Sequence, residues 1–226
     1  MIYCFGNSHV AIFSGSDEMV PIWPLLSHDL LPWFRTYRIG AVTAYQAYKH
    51  LDTINKIISI TGVNKQEDYI LLVFGEVDIR AHIVEQSLKQ GKDLSVIISE
   101  VVERYCRALS QLKTDGFKVT VFGCIAGFIL QEGGLPIPWP HSGTLEERNW
   151  ATRIFNKRLN EYCDVHNIPF VSVFEEMLEK DGITTKIKYL DLNGAGCHAN
   201  TKLLPLILWK FRDIGLIPFD AKIPSY

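Results

Sequence analysis

The sequence predicts an α/β protein built on a doubly wound, five-stranded parallel sheet, and three observations carry that expectation. Apolar runs bounded by glycine or polar residues recur along the chain with helix-like patterns between them, as successive βαβ units require. Two of the runs, YILLVF from Tyr69 to Phe74 and KVTVFG from Lys118 to Gly123, are nearly all apolar. Central parallel strands, covered on both faces, read in that way. Finally, 226 residues with 47% hydrophobic content suit one large domain spanning residues 1–226 with a substantial core.

The elements follow in order. Strands are expected at Ile2 to Phe5, near Thr36 to Ile39, at Tyr69 to Phe74, at Lys118 to Gly123 and at Phe170 to Phe174. Between them, Ala41 to Ile60 and Leu94 to Leu112 carry apolar residues at helical spacing, the second stopping before Asp115-Gly116. Thr144-Leu145-Glu146-Glu147 is an S/T-x-x-E capping box and predicts a helix running toward His166. The last helix should start near Asn200-Thr201 and end by Gly215. Two segments fit no regular element: residues 18–34, with Pro21, Pro24, Pro32, Trp23 and Trp33, and residues 127–143, which contain GGLPIPWPHSG. Long loops of this kind in a compact domain often carry function.

Composition narrows the classes. A net charge of −2 with scattered lysines and arginines lacks the basic block of a nucleic-acid partner. No apolar run approaches the ~20 residues of a membrane span, and the start lacks the pattern of a secretory signal, so a cytoplasmic protein is expected. Five cysteines without a CxxC pair argue against a disulfide framework and a structural zinc site. Cys197 stands out only because it adjoins His198. The seven histidines are dispersed, without HxxxH, so no metal and no cofactor is expected. The oligomeric state is not legible.

A doubly wound sheet gathers its ligand past the carboxyl ends of the strands. The polar residues expected there are Gly6-Asn7-Ser8-His9 after the first strand, Gly40 after the second and Gly75-Glu76-Val77-Asp78-Ile79-Arg80 after the third. Asn193-Gly194-Ala195-Gly196-Cys197-His198-Ala199-Asn200 precedes the last helix. A serine, a glycine able to offer its N–H and a distant histidine are the minimum parts for acyl transfer, because serine needs a base for its proton and donors for the oxyanion.

These blocks resemble the SGNH/GDSL hydrolase superfamily, and the resemblance covers nearly the whole chain. It implies a flavodoxin-like three-layer α/β/α sandwich. In that family a Gly-Asp-Ser block follows the first strand, a glycine the second and a Gly-x-Asn-Asp block the third, and Asp-x-x-His precedes the last helix. The resemblance implies Ser8 as nucleophile, the N–H groups of Ser8 and Gly40 as oxyanion donors and His198 as general base. Asn7 replaces the family aspartate. Val77 occupies the place of the oxyanion asparagine, whose loss can cost ~2.7–4 kcal/mol of transition-state stabilisation. Arg80 is the expected substitute, a cationic fork near the same strand end. Ala195 stands where the family has aspartate. Asp191 or a backbone carbonyl would then orient His198.

Each residue also has a plainer reading. Ser8 could cap a helix, His198 could begin one in solvent, and Gly40 could be a turn glycine. Asp78 and Arg80 could form a local ion pair or line the substrate site. His9 and Glu76 read as scaffold, and His82 as structural or pocket-lining. Trp139 and His141 could stack on a sugar or stiffen a loop. The leading expectation is a serine esterase acting on a small acyl ester, with a carbohydrate ester as candidate substrate. A glycan O-acyltransferase and a catalytically silent glycan- or partner-binding domain are the alternatives.

Overall fold

The computed structural model describes residues 1–128, 140–192 and 197–224. One sheet contains β1 (Ile2–Gly6), β2 (Phe34–Arg38), β3 (Tyr69–Val73), β4 (Lys118–Phe122) and β5 (Phe170–Val171). Every neighbouring pair is parallel, and the spatial order is β2-β1-β3-β4-β5. The winding direction reverses between β1 and β3, and a sheet of this kind opens its crevice at that switch point.

The helices are α1 (Leu51–Thr61), α2 (Val84–Gln90), α3 (Leu94–Thr114), α4 (Leu145–Val165) and α5 (Leu204–Asp213). Alternate strand residues face opposite layers. On one side Phe5, Ile70, Leu72 and Val121 pack with Ile54 of α1, Ile98 and Tyr105 of α3 and Phe155 of α4. On the other, Cys4, Leu71 and Val73 pack with Phe13 of the 3-10 turn Ser8–Ser14 and with Ile207, Leu208 and Phe211 of α5. Each large apolar side chain buried in this way contributes about 1.5–3 kcal/mol, so both helical layers are needed to cover the strands. The sheet is therefore the middle of three layers, as expected.

The capping box at Thr144 forms as the sequence indicates. Glu147 N–H donates to Thr144 Oγ1 at 3.1 Å, and Thr144 N–H donates to Glu147 Oε2 at 2.7 Å. Two other expectations need correction, and one segment left open by the sequence is defined. The helix expected over 41–60 divides into a 3-10 segment, Ala44–His50, followed by α1. Asp78 draws the first turn tight, taking the N–H groups of Ala44 and Tyr45. The fifth strand pairs only over Phe170–Val171, because Ser172 Oγ accepts Phe174 N–H and turns the chain toward the 3-10 turn Glu175–Met177. The block after β3 is helical: a π-helical turn, Asp78–Ile83, runs straight into α2.

Gly75 makes the sharp exit from β3. Its φ is +115°, and a Cβ there would meet Cys124 Sγ and also Phe155 Cε1 at 2.8 Å. Gly75→Ala is expected to cost at least about 2 kcal/mol, combining backbone strain with overpacking. A urea titration of the purified variant measures that loss as a lower midpoint.

Candidate active site

The ends of the strands set the height of every candidate residue. Gly6 of β1 stands opposite Arg38 of β2 and Val73 of β3. Ser8 and Gly40 each lie two residues past that level, and His9 and Glu76 each lie three past it. Adjacent strands are about 4.7–4.9 Å apart, so these residues share one rim.

Asn7 shapes the first loop. Its Oδ1 accepts His9 N–H at 3.0 Å and its Nδ2 donates to Val42 O at 3.2 Å, joining the loops after β1 and β2. An ionised carboxylate can only accept, whereas the amide both donates and accepts, which gives a reason for asparagine in place of aspartate. Gly40 has φ +112° and open space where a Cβ would stand. Among the described residues, neither Ser8 N–H nor Gly40 N–H donates to a protein acceptor.

The base comes from the far end of the chain. His198 Nε2 lies 2.8 Å from Ser8 Oγ, across 190 residues of sequence. Asp191 N–H donates to His198 O at 2.9 Å, and Asn200 N–H donates to Tyr189 O at 2.9 Å. Asn200 Nδ2 also donates to Leu190 O at 2.9 Å. Asp17, on the loop after the Ser8 turn, accepts from Thr201 N–H at 2.6 Å and from Thr201 Oγ1 at 3.1 Å. That contact draws the histidine segment toward the serine turn. Asp191 lines the same cavity as Ser8 and His198, and Ala195 lies outside the described residues.

A charged pair backs the histidine. His9 and Glu76 are both buried, with His9 Nε2 2.7 Å from Glu76 Oε2. The approach lies off the N–H axis, so it is an ion pair more than a hydrogen bond. Arg80 Nε donates to the other oxygen, Glu76 Oε1, at 2.7 Å, and its Nη1 donates to Pro140 O at 2.6 Å. The His9 and His198 rings are 4.5 Å apart between centroids. Sequence reading left His9 and Glu76 as scaffold. Their equal offset past paired strand ends was the available signal.

These contacts move the acidities. Burial alone would lower His9, but Glu76 and Cys197 override it and raise the imidazole to about 9. Burial would raise Glu76, yet His9 and Arg80 hold it down to about 2. His198 is lowered to about 3, first by burial and then by the charges of His9, Arg80 and Arg38. It is therefore neutral at ordinary pH, with a lone pair available for the Ser8 proton.

Several expected residues sit elsewhere. The π-helical turn aims Arg80 back onto Glu76, so its guanidinium is directed away from the oxyanion role expected of it. Both Asp78 oxygens accept main-chain N–H groups, from Ala44 at 2.6 Å and Tyr45 at 3.1 Å, so this carboxyl clamps two loops. Burial raises it to about 7, against those hydrogen bonds. Val77 lines a second cavity of 540 Å³ together with Ala41, Thr43, His82, Gln86 and Pro140. His141 is exposed and lies edge-on to Phe128, 6.1 Å between centroids. Trp139 falls outside the described residues.

No protein-family model matches the sequence, and no curated protein matches it. Solved structures do. A protein from Bacteroides fragilis described as an acylhydrolase superposes with a TM-score of 0.60 at 14% identity, over 96% of this chain and 88% of that one. A member of the lipolytic G-D-S-L family from Veillonella parvula gives 0.54 at 18%, over 95% and 97%. The fold is that of the GDSL hydrolases. An acetyl xylan esterase, AlAXEase, shares it with a TM-score of 0.53 at 14% identity, over 95% of this chain and all 100% of that one. Within the GDSL fold, the Ser8 turn, Gly40 and His198 occupy the rim past β1, β2 and the segment before α5. Among the described residues, no helix is long and apolar enough to cross a membrane.

The depressed His198 gives a pH prediction. A base lowered to about 3 stays neutral through the mildly acidic range, so reaction at Ser8 should persist below the ordinary imidazole value of about 6.5 and fail only as pH drops toward the lowered value. In His9→Gln the neighbouring positive charge is gone and the acid limb should move upward. The rate of covalent labelling of Ser8 by a fluorophosphonate, followed against pH in chelator-treated protein shown to be folded, measures both limbs.

Proposed function

We propose that the protein is a serine hydrolase of ester bonds that acts through an acyl-enzyme at Ser8. One observation carries the reading: Ser8 Oγ meets His198 Nε2 at 2.8 Å on a strand-end rim where, among the described residues, Ser8 N–H and Gly40 N–H donate to no protein acceptor. In the proposed cycle Ser8 Oγ attacks the ester carbonyl carbon as its proton passes to His198 Nε2. The two N–H groups hold the oxyanion. Collapse breaks the bond to the leaving oxygen, which takes the proton from His198, and a water activated by the same nitrogen then releases the acid and restores Ser8. Asp191 serves this cycle by fixing the His198 main chain through its N–H.

The candidate substrate is a small acyl ester of a carbohydrate. The second cavity supports this reading, since Thr43, Gln46, His82 and Gln86 line it with groups that hydrogen-bond hydroxyls and it borders Ala41 and Val77 beside the proposed oxyanion site. The acetyl xylan esterase among the fold neighbours is consistent with it. The same cavity favours a second reading, a glycan O-acyltransferase, in which a sugar hydroxyl seated there replaces water.

A fluorophosphonate probe should label Ser8, located by mass spectrometry, and Ser8→Ala should abolish both the label and turnover of a short-chain ester. Folded protein that takes no label at Ser8 would sink the nucleophile. Hydrolysis measured with and without a sugar acceptor separates hydrolase from transferase. Val77→Asn should restore an oxyanion donor and raise the acylation rate, by up to ~10²-fold, as read from pre-steady-state release of the leaving alcohol.

A further inference from the structure

The Ser8–His198 pair shares its surroundings with two side chains that the proposed cycle does not use, His9 and Cys197. His9, Cys197 and His198 are all buried, and one ligand atom from each lies within 4.8 Å of the others. Cys197 Sγ is 3.8 Å from His198 Nδ1. In a tetrahedral zinc site with Zn–S about 2.3 Å and Zn–N about 2.0–2.1 Å, the corresponding S···N edge is ~3.6 Å. His9 is 9% exposed, and among the described residues its Nδ1 has no hydrogen-bond partner. Its Nε2 is meanwhile held by Glu76, which is fixed in turn by Arg80. A metal-binding histidine is oriented in this way, with a carboxylate on its other nitrogen. One thiolate and two imidazoles suit Zn²⁺. Beside them a cavity of 40 Å³, lined by Ser8, His9, Glu76 and His198, has room for a water as fourth ligand.

We propose that His9 Nδ1, Cys197 Sγ and His198 Nδ1 form a Zn²⁺ site whose occupation silences Ser8. The silencing rests on Ser8 being the nucleophile; the site itself does not. Coordination takes the lone pair of His198 Nδ1, and the ring proton moves to Nε2. That nitrogen then donates to Ser8 Oγ and cannot accept its proton. The Cys197 thiol proton and the His9 Nδ1 proton pass to solvent as the metal enters. Glu76 stays paired, now with a metal-bound His9. The ligands come from the two ends of the chain, which is why sequence spacing gave no hint of a metal.

The test uses full-length protein stripped with a chelator. Zn²⁺ is titrated against a chromophoric competitor, and Co²⁺ is added as a spectroscopic substitute. One metal per chain is expected, with a thiolate-to-cobalt charge-transfer band. Glu76→Gln should weaken binding by ~10–100-fold, the usual loss for an outer partner, and Cys197→Ser and Cys197→Ala by more. Labelling of Ser8 by fluorophosphonate should fall in step with zinc occupancy and return on chelation. Absence of the thiolate band, or zinc binding unchanged in both Cys197 variants folded by circular dichroism, overturns the site. Zinc bound with Ser8 labelling undiminished overturns the silencing. Metal-free protein that takes no label counts against the nucleophile alone, and the cobalt spectrum still decides the site.

Discussion

The parallel register of β1 against β2 and β3 is the constraint on which the rest of the molecule depends. With Gly6 level with Arg38 and Val73, three loops leave the sheet at one height, and residues at equal offsets become neighbours. His9 beside Glu76 follows from it, and so does the equal offset of Ser8 and Gly40 past their strand ends. In a parallel ladder a one-residue slip would exchange the side chains that pack in the two apolar layers. The two cores thus hold the register, and the register holds the rim.

The rim is kept rigid by polar side chains that span loops. Asn7 ties the β1 loop to Val42, Asp78 ties the π-helical turn to the start of the 3-10 segment after β2, and Asp17 ties the serine turn to Thr201. The Asn7 and Asp78 bonds are buried or partly buried, where an unmet partner costs about 1–3 kcal/mol, while the Asp17 bond is exposed. The buried ones therefore resist movement of the loops after β1, β2 and β3.

The electrostatics run in a line through Arg80, Glu76, His9 and His198. Breaking such a buried pair by removing one partner typically costs about 3–5 kcal/mol, so the line is a structural commitment. Its consequence for the proposed base is unusual. A carboxylate on the far side of a histidine would raise its basicity, whereas here the nearest ring carries positive charge and lowers it. The arrangement favours a neutral His198 over a wide pH range and leaves its Nδ1 facing sulfur.

Much of this was legible in the chain. The alternation of apolar runs and amphipathic stretches located all five strands, because period and length are local properties, and Thr144 with Glu147 announced α4 because a capping box closes within one turn. Ser8 and Gly40 could be named because strand ends are visible as the polar residues that follow apolar runs, His198 because it precedes the last helix, and their roles came from the resemblance to the SGNH/GDSL superfamily. What the sequence could not determine is direction and distance across the fold. Whether Arg80 reaches the oxyanion or turns back on Glu76 depends on a π-helical turn that no local pattern marks. That His9, in sequence merely the neighbour of Ser8, lies against Glu76, Cys197 and His198 depends on strand register and on the docking of residues 197–200, nearly the whole chain away. Local chemistry chose the residues, and long-range packing alone decided which of them share a charge, a proton or a ligand.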